Sequence, residues 1–470
     1  MVNEYMNQVK VMLQDKQFIK KTIAITLPVA FQNLLNTLLN MVDTYMITQL
    51  GEGTIAAVGL ANKVFFVFSL LMFGISSGSG ILASQYYGKR DMISIKRVLR
   101  MSLSIGIGGS FLFVIPALLC PEVVMRIFSP EQNIIKVGAA YLVVIAVSYP
   151  LTAITNSFVA ILRSMNYVRL PVVITIISIL VNVILNYGLI YGNLGMPEMG
   201  VAGAALATVI ARAVEVTVLL IVVYKHKRGD DGVGDFIHSK YNKAAENNQP
   251  FINKPFVVRY FSAAAPVIAN EFMWGLGVTM YSLVYGRMGE DAAAAITITS
   301  TVEQLAMVFF FGICHAAAVV LGNELGANNL KKAEIYAKNY MIMQLCLSIL
   351  GAILTLIFKE AIISLFPVSA IVGEYIRLSL TVFAFYMPVR LLNTLIIVAI
   401  LRSGGDTVAA LLLDVTSVWL IGIPMAIIGG LILKLPIYVV YGMITIEEVY
   451  KAILGYIRYR QKKWLKNIVS

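Results

Sequence analysis

Runs of about 20 apolar residues recur from end to end of this 470-residue chain, each long enough to cross a hydrocarbon layer of ~30 Å as a helix rising 1.5 Å per residue. Twelve such runs are expected, over residues 22–48, 56–85, 98–119, 134–160, 168–191, 199–224, 260–286, 294–323, 337–358, 371–400, 407–430 and 435–457. Between the last two, Gly429, Gly430, Lys434 and Pro436 leave room only for a short turn. The make-up agrees: 59% hydrophobic and 13% charged residues, with a mean hydropathy of +0.81, lie far from a soluble globular domain. The chain reads as an all-α, polytopic integral membrane protein.

Its two halves are copies. Ala-Ile-Leu-Arg-Ser occurs at Ala160 to Ser164 and again at Ala399 to Ser403, a displacement of 399 − 160 = 239. Without a gap, a shift of 238 lays Pro28 on Pro266, Gly51-Glu52 on Gly289-Glu290, Phe73-Gly74-Ile75 on Phe311-Gly312-Ile313 and Gly88 on Gly326. Helix breakers kept in register mark shared backbone geometry. Residues 1–224 and 260–470 are therefore expected to form two six-helix lobes, and duplicated membrane halves usually hold a substrate between them. The polar stretch 225–259, with Gly229-Asp230-Asp231-Gly232, Asn247-Asn248 and two prolines, reads as the cytoplasmic linker.

Lys and Arg set the orientation. With the N-terminus inside, 27 of the 37 fall in cytoplasmic segments, and only Arg126, Lys136, Arg287, Lys359 and Lys434 fall outside. Both termini are expected in the cytoplasm, with the inner membrane as the location. The net charge of +12 is then a topology signal plus attraction to anionic lipid headgroups, and nucleic acid is not an expected partner. The polar leader from Met1 to Lys21 precedes a run long enough to stay in the membrane, so no cleaved signal peptide is expected. Met6, Val9, Met12 and Leu13 beside Lys10 and Lys16 suit either a surface helix or a disordered leader.

Several chemistries lack their residues. Cys120, Cys314 and Cys346 show no paired spacing, and His226, His238 and His315 form no ligand cluster with them. No Walker lysine loop is present, so no cofactor is expected and uphill work must come from an ion gradient.

Polar residues inside apolar spans are costly and therefore informative. Asn33, Asn36, Asn40 and Asp43 step by 3, 4 and 3, one stripe of the first helix ending in a carboxylate. Asp43 is read as a cation or proton site, whereas the asparagines suit helix-to-helix hydrogen bonding or a cavity wall. Asn182 and Asn186, four apart, share a face where their carbonyls would add oxygen ligands for a hard cation such as Na⁺, and Thr208 offers a further hydroxyl. Arg212 and Glu215, three apart, are expected to neutralise each other.

The second copy carries its acid elsewhere. Under the 238 shift, Glu271 falls on Asn33 and Tyr281 on Asp43, so each half is expected to shelter one solitary carboxyl. Glu271 lies roughly 18 Å into the membrane, counting 12 residues from Arg259 at 1.5 Å each, a depth that suits a proton carrier or the counter-ion of a cationic substrate. Glu303, with Gln304, and Arg390, with Asn393, are candidates for the same cavity; an Arg390-to-acid ion pair is an equal alternative. Asp414 is expected to bond neighbouring backbone. Trp274 and Tyr281 belong to a set of aromatics and methionines, with Phe272, Met273, Tyr285, Phe309, Phe310, Phe311, Tyr386 and Met387, of which most read as packing or lipid-facing residues and a subset as an adaptable wall for flat organic cations.

Four stretches carry a resemblance: Asn40-Met-Val-Asp43 running to Gly51; Ser84-Gln-Tyr-Tyr-Gly88; Asn186-Tyr-Gly-Leu-Ile-Tyr-Gly192 with Gly200 to Thr208; and Leu401-Arg-Ser-Gly-Gly-Asp-Thr407. The chain resembles the multidrug and toxic compound extrusion (MATE) transporters of the multidrug/oligosaccharidyl-lipid/polysaccharide exporter superfamily over nearly its whole length. The resemblance implies twelve helices in two six-helix lobes, related by a pseudo-twofold axis and forming a V. It also implies antiport, with Na⁺ or H⁺ moving in and an organic, often cationic, compound moving out. Related members place an Asp on the first helix, an Asn and an Asp on the fifth and a Thr on the sixth; here Asp43, Asn182 and Thr208 match, and Asn186 stands where those members often have Asp. Others use a Glu on the seventh helix, matched by Glu271, and an Asp on the tenth, near which this chain has Asn393. The coupling ion stays open.

The expected function is a monomeric antiporter in which ion and substrate compete for a shared cavity, with Pro28 and Pro266 supplying either mobile bends or fixed kinks. A lipid-linked oligosaccharide flippase of the same superfamily ranks second, since it calls for a more basic cavity than Arg390, Arg212 and Lys63 would make. A membrane-embedded transferase ranks last, with His315 its only support.

Overall fold

The computed structural model describes residues 12–225, 232–238 and 251–470. Among them every regular element is helical. Expectations resting on Met6, Val9 and Lys10 of the leader, and on Lys227, Arg228, Lys240 and Lys243 of the linker, lie outside the described residues.

The helices are α1 (Lys16–Thr48), α2 (Glu52–Gly88), α3 (Met92–Leu119), α4 (Pro121–Arg126), α5 (Gln132–Ala146), α6 (Ser148–Ser164), α7 (Arg169–Tyr191), α8 (Gly200–Lys225) and α9 (Gly232–His238). The second copy continues with α10 (Lys254–Arg287), α11 (Glu290–Gly326), α12 (Leu330–Ile363), α13 (Ala370–Leu401), α14 (Thr407–Ile432), α15 (Ile437–Ile444) and α16 (Ile446–Arg460). Ten of these are long and apolar enough to cross a membrane, and α5 with α6, bent by 45° between them, make an eleventh. The twelfth expected run, 435–457, is helical but broken at Thr445 into α15 and α16. Helices α1, α3 and α10 begin six residues before their apolar runs, because a helix continues through polar turns that water and headgroups can solvate.

The duplication is written in the backbone. Helices α2 and α11 are both 37 residues long, and each follows a glycine of positive φ, Gly51 at 108° and Gly289 at 117°. Both end before a left-handed residue, Arg90 and Asn328, each at φ 62°. The retained Phe-Gly-Ile triplets also gain a reason. A Cβ on Gly74 would lie 2.7 Å from the Ile268 backbone, and one on Gly312 would lie 2.9 Å from the Thr26 carbonyl and 3.2 Å from the Ala30 side chain. Because 268 − 30 = 238, both copies make the same close helix crossing at the same place.

Two compact units result. Unit 1 is Met1–Ala30 with Ala269–Ser470, and unit 2 is Phe31–Ile268. The divisions fall inside α1 and α10, again 269 − 31 = 238 residues apart. In unit 1 the first part of α1 is held by Phe18 against Tyr336 and Tyr340 and by a 2.9 Å hydrogen bond between the Thr22 and Tyr340 hydroxyls. In unit 2 the first part of α10 is held by Tyr260, whose hydroxyl is 2.8 Å from that of Ser79. Unit 2 is centred on an apolar cluster in which Phe68 stacks on Tyr149 and packs with Met125 and Leu142. In unit 1 apolar clusters form around Val284 and Val440 and around Ile376 and Leu380. Its helices α13 and α14 carry π-helical turns at Leu395–Leu401, Val418–Gly422 and Ile428–Ile432, a distortion common where a helix serves a polar site.

Placing Val at Gly74 or at Gly312 should destabilise the protein by about 1–3 kcal/mol through overpacking. Gly108→Ala, where nothing lies within 4 Å of the new methyl, should leave it unchanged or slightly better. Thermal unfolding in detergent checks all three.

Candidate cation-coupling sites

In unit 2 the first site grows from a tight hairpin. Gly192 closes α7 in the left-handed region at φ 71°, Met199 N–H returns to the Leu189 carbonyl at 2.8 Å, and Gly203 has no side chain where that carbonyl presses on α8. Helices α7 and α8 therefore run side by side, which sets Thr208 opposite Asn182. Tyr191 donates to the Met46 carbonyl at 2.8 Å, pinning the end of α1 against α7 and bringing Asp43 opposite Asn186.

A continuous chain of bonds follows. Asn186 Nδ2 donates to Asp43 Oδ1 at 2.7 Å and to Asn182 Oδ1 at 3.1 Å. Asn182 Nδ2 donates to Thr208 Oγ1 at 3.3 Å, and Thr208 donates to the Ala204 carbonyl at 3.1 Å. The four residues read from the sequence thus come together. Asn182 and Asn186 are buried, and Asn186 Oδ1 is left without a donor. The set consists of oxygen atoms around one carboxylate, suited to a hard monovalent cation or a proton, with the Asn186 amide free to offer nitrogen or oxygen by turning over. No group of three His, Cys, Asp or Glu suited to a metal occurs among the described residues. Arg212 and Glu215 form the expected pair at 2.7 Å. Asn36 is partly buried and Asn40 exposed on the same helix.

Unit 1 departs from the sequence reading. Glu271 is not solitary: Arg402, the arginine of the repeated pentapeptide, donates to its Oε1 at 3.0 Å, and both are buried. The counterpart in unit 2 is Arg163 Nη2 to Gln32 Oε1 at 2.7 Å. Since 402 − 163 and 271 − 32 are both 239, Glu271 is matched in bonding by Gln32 and not by Asn33. Charge in one copy is replaced by an amide in the other.

Arg390 Nη1 donates to Glu303 Oε2 at 3.0 Å and to the Tyr386 hydroxyl at 2.9 Å, so the ion-pair alternative is the arrangement found. Asp414 accepts from Asn270 at 3.0 Å and lies 3.7 Å from Lys451, rather than bonding neighbouring backbone. Tyr281 donates to Glu447 at 2.6 Å, and Asn393 donates to both the carbonyl and the carboxylate of Glu448, at 2.7 and 2.8 Å. Trp274 is 39% exposed. The residues that the sequence reading missed are Glu447, Glu448 and Lys451. Their signal was three charges within five residues of an expected span, which lipid does not tolerate without partners.

The comparisons agree with this architecture. The MatE family profile matches residues 28–188 and 266–428, two blocks whose starts are 266 − 28 = 238 residues apart, and the chain belongs to that family of multi-pass membrane transporters. A probable multidrug resistance protein NorM of Thermotoga maritima is 25% identical over 454 residues, covering 96% of this chain and 94% of that protein. The multidrug resistance protein NorM of Vibrio cholerae is 23% identical, with 87% of each chain covered. Among solved structures, an outward-facing multidrug resistance MATE family transporter of the MOP superfamily shares the fold at TM-score 0.82, with 19% identity over 94% of this chain and 95% of that one. A MOP superfamily transporter from Pyrococcus furiosus, for which a binding pocket of reversed polarity has been described, aligns at TM-score 0.79 with 19% identity, covering 94% and 95% of the two chains. The fold is thus that of the twelve-helix MATE transporters.

Removing one partner of a buried ion pair leaves the other uncompensated, a cost of about 3–5 kcal/mol, whereas replacing both is nearly neutral. Arg402→Met should therefore lower the unfolding midpoint sharply, and Arg402→Met with Glu271→Gln should recover most of the loss. A double-mutant cycle measured by thermal unfolding checks this.

Proposed function

We propose that the protein is a secondary active antiporter that exports organic, cationic, drug-like compounds in exchange for Na⁺ or H⁺ by alternating access. The observation that carries this reading is the bonded group Asp43, Asn186, Asn182 and Thr208, one carboxylate held by neutral amides and a hydroxyl, with no ion pair of its own among the described residues and with Arg212 beyond it engaged by Glu215. A carboxylate so placed is stabilised by either Na⁺ or a proton, and a ligand can shift a conformational equilibrium only by its differential affinity for the two states. Glu271, already neutralised by Arg402, gains less from an added cation, so Asp43 is the leading coupling site and Glu271 the second.

The names of the NorM relatives, multidrug resistance proteins, support a drug-like substrate. A cationic substrate is the kind that the polar side chains of Asn36 and Asn40 in unit 2, and the half-exposed Trp274 ring in unit 1, would each receive. Arg212 and Arg390, the cations that an anionic lipid-linked sugar would need, are each engaged by a glutamate, which weighs against the flippase. The chain would act as a monomer in the inner membrane; its charge bias supports placing both termini in the cytoplasm.

Ethidium transport in reconstituted vesicles tests the reading. Wild type should move the dye against an imposed Na⁺ or H⁺ gradient. Asp43→Asn should lower gradient-driven transport by about tenfold or more, the effect of losing ~1.4 kcal/mol of state preference. Full transport by Asp43→Asn would remove Asp43 from coupling, and no gradient-driven transport by wild type would remove antiport.

A further inference from the structure

We propose that Glu447 and Glu448, gathered with Asp414 round Lys451, form a proton-binding site in unit 1, separate from both the Asp43 group and the Glu271–Arg402 pair. The ammonium of Lys451 lies 3.7 Å from Asp414, 3.5 Å from Glu447 and 3.6 Å from Glu448. Three carboxylates against one ammonium leave −3 + 1 = −2 if all are ionised. All four side chains are at least 85% buried. The nearby arginines do not remove the excess, because Arg402 is taken by Glu271 and Arg390 by Glu303. A charge excess of this kind in a low-dielectric interior is relieved by protonation.

A second observation marks the missing proton. Asn270 donates its amide N–H to Asp414, and Asn393 donates its own to Glu448. The side-chain oxygens of both asparagines are buried and have no donor, although the two residues are only 3% and 2% exposed. Oxygen and nitrogen share one planar amide, so each orphan acceptor belongs to a side chain that already touches a carboxylate of the group, and turning the amide over would face that carboxylate with the oxygen. A carboxyl O–H is the donor that closes such a gap.

The surrounding fold makes room for the group. Gly422 ends a π-helical turn of α14, and a Cβ there would overlap both the Tyr281 hydroxyl and the Glu447 carboxylate. Facing the two glutamates are Tyr281 and Tyr285 of α10, Arg390 and Tyr386 of α13, Asp414 of α14, and Tyr441 of α15, which shares a 2.7 Å bond with Tyr386. Glu303 of α11 reaches this set through Arg390. Glu447 lies ten residues past Ile437, roughly 15 Å into the span at 1.5 Å per residue and so near mid-bilayer. The step is simple: a proton from water adds to one glutamate oxygen and returns to water, with no other bond changed. Its place in the transport cycle rests on the antiport reading; the site itself does not.

Infrared spectroscopy of the lipid-reconstituted full chain, in H₂O and D₂O at neutral pH, reads the C=O stretch of protonated carboxylic acids directly. The band should be present in Asp43→Asn and lost or clearly reduced when Glu447→Gln or Glu448→Gln is added. A band absent from Asp43→Asn, or unchanged by both glutamine substitutions, overturns the proposal. Should those variants fail to fold, Lys451→Met removes the lone ammonium and should enlarge the band; no enlargement overturns it. Loss of dye transport in the wild type with the band intact would instead defeat the antiport reading and leave the site standing.

Discussion

A carboxylate taken out of water must be matched by a cation, a donor or a proton, and this one requirement orders the polar interior of both units. In unit 2 Glu215 is matched by Arg212, but Asp43 is matched with amides: Asn186 bridges Asp43 and Asn182, and Asn182 passes the chain to Thr208. In unit 1 it is made with charges, Glu271 to Arg402, Glu303 to Arg390, and three acids to Lys451. Among the described residues Asp43 is hydrogen-bonded by an amide and has no ion pair of its own. That is the property a coupling site needs, because a carboxylate with its own fixed cation has little to gain from a mobile one.

The duplication explains how one scaffold came to hold both solutions. Gly51 and Gly289, Arg90 and Asn328, and Gly74 and Gly312 occupy equivalent places with the same backbone demands, so the copies share helix lengths, caps and crossings. Side chains were free to diverge once those demands were met. Gln32 and Glu271 sit under the same pentapeptide arginine, neutral in one copy and charged in the other. Unit 2 has an aromatic and aliphatic cluster round Phe68 and Tyr149, and unit 1 adds ion pairs and π-helical turns to a buried apolar interior that includes Phe310, Phe383 and Leu395.

Much of this was legible in the residues. Apolar length gave eleven of the twelve expected runs as spans or as the bent pair α5 and α6, and aligned glycines gave the repeat. Helical spacing, 3-4-3 on α1 and four on α7, singled out Asp43, Asn182 and Asn186, and the family resemblance grouped them with Thr208, since spacing within a helix does not say which helices meet. The unit 1 network was not, since its partners are far apart in sequence, 131 residues for Glu271 and Arg402 and 144 for Asn270 and Asp414. The 238 register holds on both sides of Gln32, at Pro28 with Pro266 and at Gly51 with Gly289, and lays Asn270 on it, so the match in bonding between Gln32 and Glu271 crosses the register and could not be read from it. The bend between α5 and α6 has its signal in Pro150, which cannot bond the Ala146 carbonyl four residues back, whereas the break at Thr445 has no proline or glycine at the point itself.

If ion and substrate compete through Asp43, the affinity for one must depend on the concentration of the other, and the dependence must pass through that carboxylate. Equilibrium binding of tetraphenylphosphonium to the purified protein, titrated against Na⁺ and against pH, measures this directly. The expected result is a wild-type affinity that falls as Na⁺ or H⁺ rises and a flattened dependence in Asp43→Asn. A full dependence retained in Asp43→Asn, or none in the wild type, would contradict it.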